Sequence, residues 1–285
     1  MEKRYIIGID QSTQGTKALL FDGVGHLLRR TDLPHRQIVN EKGWVSHDLN
    51  EIYRNTVQTV KTLVAESGVA PETIAGIGIS NQRETTAIWD KATGEPLEEA
   101  IVWQCGRASG IAQEIAEQGH AEEIREATGL QLSAYFPAAK MAWLLRNGGE
   151  ERQKRAADGK LCLGTIDSWL VYKLTGDHAF KTDFSNASRT QLFNLKTLAW
   201  DEKICEIFGI PACALARVCD SDAVYGTTTM EGLFSEPVPI CGVLGDSHAA
   251  LFGQGCLKPG MIKATYGTGS SLTVSYTHLR AHETC

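Results

Sequence analysis

GIDQSTQGTKALLFD, residues 8–22, is the stretch on which the reading of the fold turns. It leaves one apolar run, bends through Ser12, Thr13, Gly15, Thr16 and Lys17, and enters a second apolar run at 18–21. A bend built of small residues leaves its backbone N–H groups uncovered, and hydroxyls add further donors, so it can hold the oxygens of a phosphate chain. Asp10 places a carboxylate at the head of that bend. The run at 27–33 follows the turn signals Asp22-Gly23 and Gly25, which predicts an antiparallel meander of strands over 5–33.

Outward from the meander, Asp48 stands as a helix N-cap with Glu51 after it. Ile52, Val57, Val60, Leu63 and Val64 then recur on one helical face up to Gly68. IAGIGI, 74–79, is short, β-branched and bounded by Gly and Asn81, as suits a strand buried on both sides. Residues 107–128 predict acid-rich helices and 137–146 an amphipathic one. LCLGTIDSWLVYKLTG, 161–176, predicts a strand, a capped helix and a glycine stop. An apolar stretch at 238–244 runs into GDSHAALFG with Asp246 at its end, and MIKATYGTGSSLTV repeats the opening design around a second Gly/Ser/Thr bend. Neither bend is a GxxxxGK[ST] loop, and no GxGxxG follows a strand. The fold class read from these patterns is α/β with mixed strand direction.

The chain has 285 residues, 42% of them hydrophobic, enough for one large domain or for one domain and part of another. No apolar run approaches the roughly 18–20 residues of a membrane span, and the first residues lack a signal-peptide pattern, so a soluble, cytoplasmic protein is expected. A net charge of −6 with acids and bases interspersed argues against a nucleic-acid partner. The eight cysteines show neither CxxC pairs nor zinc spacing and are read as free, buried thiols.

GWVSHDLNEIY, IGISNQRETTAIWDKATGEPL, AIVWQCGR, TDFSNASRTQLFNLKTLAWD, GDSHAALFGQ and ATYGTGSS follow the opening stretch in that order, and YFPAAKMAWLLRN lies among them at 135–147. Together they resemble the FGGY family of carbohydrate kinases and are most similar to its glycerol kinases. The resemblance implies the ribonuclease-H-like architecture of the actin-like ATPase superfamily, with two such domains closing on ATP and Mg2+. It divides the chain into an N-terminal domain over 1–250 on the substrate and phosphate side, the truncated start of a C-terminal ATP-binding domain over 251–274, and a non-native tail over 275–285. A chain so divided is expected to have little or no kinase activity by itself.

By the same resemblance, the reaction is ATP-dependent phosphorylation of a primary hydroxyl on a small polyol or sugar. Asp246 accepts the hydroxyl proton; Arg83, Glu84, Trp103, Tyr135, Asp246 and Ser247 contact the acceptor. Asp10 holds magnesium through water, while Ser12, Thr13, Lys17, Gly267, Thr268 and Gly269 face ATP. The sequence departs from the glycerol-kinase pattern in two places. Lys17 stands where an arginine is expected, which keeps the charge and loses the bidentate fork. Ser247-His248 stand where Gln-Gln is expected, which removes an amide contact and leaves room for a larger acceptor. Glycerol or a glycerol-like polyol therefore comes first, and a C4 or C5 polyol or a ketose such as xylulose second. An actin-like ATPase or a non-catalytic sugar-binding relative is the alternative of another class; the resemblance leaves open a homo-oligomer of the full-length parent.

Overall fold

The computed structural model describes residue 2 and residues 4–266 and 270–275. Gly267, Thr268 and Gly269, and the tail beyond Ser275, lie outside the described residues. The opening meander forms as the pattern requires: Tyr5–Gln11 pairs antiparallel with Gly15–Phe21, which pairs antiparallel with Leu27–Pro34. The chain then crosses the sheet through the helix Leu49–Ser67. The Asp48 carboxylate accepts from the backbone N–H groups of Asn50 and Glu51, and Gly68 ends the helix at φ 70°, a left-handed conformation that glycine adopts without strain. Glu51 does not reach back to complete a capping box; its carboxylate takes the Arg36 N–H at 3.2 Å.

After that helix, Ile74–Asn81 returns beside the first strand and parallel to it, and Val238–Gly245 adds parallel on its other side. The six-stranded sheet runs Gly226–Thr228, Val238–Gly245, Ile74–Asn81, Tyr5–Gln11, Gly15–Phe21, Leu27–Pro34. Ile7, Ile9, Ile77 and Ile79 face one core with Ile52, Val60 and Leu63 of the helix, and a fully buried side chain of this size contributes about 1.5–3 kcal/mol. Three parallel strands end level with one another, since Ser80 is paired with both Asp10 and Leu244, and Asn81 with both Gln11 and Gly245. Ligands of open α/β sheets bind beyond such carboxyl ends.

A second sheet, of Ile38–Val39, Val45–His47, Ala100–Ile101, Thr86–Asp90 and Leu161–Thr165, carries a core of its own with the helices Ser109–Glu117, Ala121–Thr128 and Pro137–Asn147. Residues 82–85 pass from the end of the central strand into this second sheet, so the NQRET segment lies where the two cores meet.

Three expectations change in detail. Pro137–Asn147 is not a half-exposed amphipathic helix: its buried residues run from Pro137 through Ala142, Lys140 included, because the sheet and neighbouring helices cover it on most sides. Ile166–Leu174 ends when Thr175 leaves in extended backbone, before Gly176, and the Thr165 hydroxyl bonds Asp167 Oδ1 at 2.5 Å instead of capping a backbone N–H. The described cysteines are free as expected, but Cys213 and Cys241 are exposed rather than buried. Among the described residues, no helix is long and apolar enough to cross a membrane.

Candidate active site

The first wall of the site comes from the opening hairpin. Its register sets Lys17 opposite Asp10, and Lys17 Nζ lies 2.7 Å from Asp10 Oδ2. Ser80, from the next strand, donates to Asp10 Oδ1 at 3.2 Å. Ser12 closes the bend on itself, its N–H and hydroxyl both reaching the Gly15 carbonyl, at 2.9 and 3.0 Å. Thr13 points across to the second sheet, where its hydroxyl accepts from Trp103 Nε1 at 2.9 Å.

The second wall is the start of the helix Asp246–Gly253. Gly245 is its N-cap residue and Asp246 its first residue, so Asp246 is not spent as a cap. Asp246 Oδ1 accepts from Arg83 Nε at 3.2 Å and from the Ser247 N–H at 2.7 Å, while Arg83 Nη2 donates to Ser247 Oγ at 3.0 Å. A Cβ on Gly245 would sit 2.5 Å from Arg83 Cδ, so the absence of a side chain there is what lets the guanidinium cross to the carboxylate. The Gly245 N–H is fixed in turn by Ser185 Oγ at 2.8 Å. Arg83 is almost sealed, with 6% of its side-chain surface accessible, whereas Asp246 keeps 45% accessible. Removal from bulk water raises the Asp246 pKa; the Arg83 guanidinium pulls against this, and the carboxylates of Glu84 and Asp10 add to it.

The third group of site residues is less local. Arg83 and Glu84 are consecutive, yet their side chains part company because Glu84 adopts φ 59°. Its carboxylate, 3% accessible, takes Arg189 Nε at 2.6 Å. The Tyr135 and Trp103 rings meet edge-on with centroids 5.7 Å apart. Lys140 Nζ donates to the carbonyls of Glu84 and Tyr135. Direct contacts thus join Asp10 to Lys17, Thr13 to Trp103 and on to Tyr135, and Arg83 to Asp246 and Ser247, while Ser12 bonds within its own bend, Glu84 bonds Arg189, and Gly267, Thr268 and Gly269 lie outside the described residues.

Sequence reasoning did not single out Arg189, Ser80 or Ser185, and gave Lys140 no role in the site. Arg189 reaches Glu84 across 105 residues of chain, and nothing in local periodicity marks such a pair. The buried amides of Asn81 and Asn186 bond each other reciprocally at 2.9 and 3.0 Å, and Asp183 caps the turn from which Ser185 and Asn186 project.

Among the described residues, no cluster of three or more His, Cys, Asp or Glu side chains could enclose a metal. Asp10, a single hard carboxylate beside a bend of backbone and hydroxyl donors, instead suits a magnesium ion that keeps most of its water and takes its remaining ligands from phosphate.

Acids at the ends of parallel strands, a small-residue bend beside one of them and a guanidinium locked on the other are set on an actin-like ATPase fold. The description of the FGGY family of carbohydrate kinases, N-terminal domain, matches residues 5–253, and the chain belongs to that family. It is 46% identical over 272 residues to glycerol kinase 2 of Thermotoga maritima, covering 95% of this chain and 54% of that protein. It is 47% identical over 274 residues to the glycerol kinase of Enterococcus faecalis, covering 96% and 54%. Among solved structures it superposes on Plasmodium falciparum glycerol kinase with ADP at a TM-score of 0.87 and 36% identity, over 96% of this chain and 55% of that one. A ligand-bound xylulose kinase from Lactobacillus acidophilus shares the fold at a TM-score of 0.85 and 22% identity, over 98% and 58%. The chain spans about half the length of the curated relatives it matches.

Proposed function

We propose that this chain serves the ATP-dependent phosphorylation of a primary hydroxyl on a small polyol, glycerol or a close relative of it. The observation that carries the reading is Asp246: a carboxylate half open to the cleft, held by a buried arginine, across the strand ends from Asp10. Asp246 accepts the proton of the attacking hydroxyl, and Arg83 fixes its direction. Glu84 and the Tyr135 and Trp103 rings bind and orient the acceptor. Asp10 with Lys17 and the opening bend faces the phosphates of ATP, and magnesium, when bound, would neutralise phosphate charge there. The family match and the glycerol kinases among the relatives support the substrate class. In this reading 1–250 is the substrate and phosphate side of the cleft, and the enzyme works in the cytoplasm.

A C4 or C5 polyol or ketose is the second reading, favoured by one observation. Ser247 is short, and its hydroxyl already accepts from Arg83, so it extends no amide toward the acceptor. The test is a panel of glycerol, erythritol, xylitol and xylulose, run by coupled ADP release on the protein extended to the length of its curated relatives. Turnover confined to glycerol supports the first reading, and a preferred pentitol or ketopentose the second. ADP release indifferent to every polyol would sink both.

A further inference from the structure

We propose that Lys140 is a positioning residue of the acceptor site: its ammonium, sealed behind the NQRET segment, ties the main chain of Glu84 to that of Tyr135. The inference rests on the acceptor role proposed for those two residues.

Lys140 is fully buried, with 0% of its surface accessible, on a helix whose neighbours Ala139, Met141 and Ala142 are buried as well. An apolar side chain would suit that setting at less cost, since taking an ammonium out of water is expensive unless strong partners compensate. The partners here are modest. Nζ donates to the carbonyl of Glu84 at 3.4 Å and to that of Tyr135, and it lies 5.8 Å from the centroid of the Tyr135 ring. The Glu84 carboxylate is already held by Arg189, which packs over Phe136, next to Tyr135. The contacts of Lys140 therefore do less for stability than for geometry.

Geometry is what this point of the chain needs. Glu84 sits at φ 59°, a conformation that costs a non-glycine residue about 1 kcal/mol or more and persists only when its surroundings hold it. Tyr135 belongs to the loop before the helix Pro137–Asn147, with no strand to fix it. One ammonium joins the two, drawing a residue between the sheets and a residue before a helix into one frame. Burial brings the Lys140 pKa down to about 7, against the opposing pull of the Glu84 carboxylate and of Cys105. The tie is thus strongest where the ammonium is charged, below neutrality, and weakens as the pH rises.

The test uses the protein extended to the length of its curated relatives and its variant Lys140→Met, which keeps an unbranched side chain one atom shorter and removes its charge. Glycerol dissociation constants are measured by titration calorimetry at pH 6 and pH 8, with melting midpoints in the same buffers. The variant is expected to melt no lower than the wild type, yet to bind glycerol about tenfold more weakly at pH 6, a loss of about 1.4 kcal/mol. Wild-type affinity is expected to fall between pH 6 and pH 8, and that of the variant to stay level. A folded variant that binds as the wild type does would overturn the proposal. Should the variant not fold, a wild-type affinity level across this range overturns it just as well. A wild type that binds glycerol in no buffer overturns the acceptor reading itself, an outcome distinct from the other two.

Discussion

Arg83 Nε lies 3.2 Å from Asp246 Oδ1, and the side chain that makes this contact is almost wholly enclosed while the carboxylate it meets is half open. The geometry is asymmetric in a useful way. The cation is locked by its surroundings and by Ser247, and the anion is left accessible. Two opposed effects act on Asp246, desolvation raising its pKa and the guanidinium lowering it, and desolvation prevails. Replacing Arg83 with Met removes the lowering influence, so the Asp246 midpoint moves further up. Carboxyl carbon-13 NMR titration of the wild type and the variant reads this directly. A midpoint that stays in place would show that the guanidinium does not set the ionisation of this carboxylate.

Glu84 and Arg189 form a buried ion pair at 2.6 Å. Removing one partner of such a pair strands a charge, which typically costs about 3–5 kcal/mol, whereas neutralising both costs far less. Arg189→Met alone is expected to lower stability by about 3 kcal/mol. The double variant Glu84→Gln, Arg189→Met should recover most of that loss. Urea unfolding of the three proteins checks it, and a double variant no more stable than the single one would place the cost in packing rather than charge.

Asp167 is fully buried, and desolvation, aided by the charge of Asp183, pushes its pKa up to about 7 from an ordinary 3.8. Between those values the unfolded chain releases a proton that the folded chain keeps, so this group makes folding weaker as pH rises across the window. His47 acts in the opposite sense. Burial brings its pKa down to about 4 from 6.5, and its contribution is lost as pH falls. The two partly cancel in the wild type, so the informative quantity is the difference between the wild type and Asp167→Asn. That difference is expected to shift in favour of the variant from pH 4.5 to pH 7.5, by an amount on the order of a few kcal/mol. A pH-independent difference in urea midpoints would show that Asp167 titrates no higher in the folded chain than in the unfolded one.

The parts of this architecture legible in the sequence are those set by neighbouring residues. Asp10 and Lys17 face each other because a hairpin of that length fixes its own register, and the helix after Asp48 follows from a cap, a periodic face and a terminal glycine. The level ending of Tyr5–Gln11, Ile74–Asn81 and Val238–Gly245 could be suspected only from short apolar runs ending in polar residues. Contacts made by long-range packing left no local trace. Arg83 and Glu84 read as an adjacent pair, and a single positive φ sends them to partners 163 and 105 residues away. The helix that carries Lys140 reads as amphipathic, and nothing in its pattern marks Lys140 as buried, because periodicity reports the helix and not the layers that later cover it.

Trp103 Nε1 donates to Thr13 Oγ1 at 2.9 Å, joining the aromatic pair, proposed to meet the acceptor, to the opening bend. Neither residue is fully buried, so the bond itself is worth only about 1 kcal/mol. Its consequence lies in coupling: the bend cannot shift without drawing on the indole, and the Tyr135 ring packs against that indole. Thr13→Val keeps the shape of the side chain and removes the acceptor oxygen. It is expected to weaken glycerol binding several-fold although Thr13 is proposed to face phosphate, and Trp103→Phe should produce a comparable loss. If the hydrogen bond carries the effect, the double variant loses little more than either single one, leaving a coupling of about 0.5–1.5 kcal/mol. Strictly additive losses would mean that the two walls bind their ligands independently.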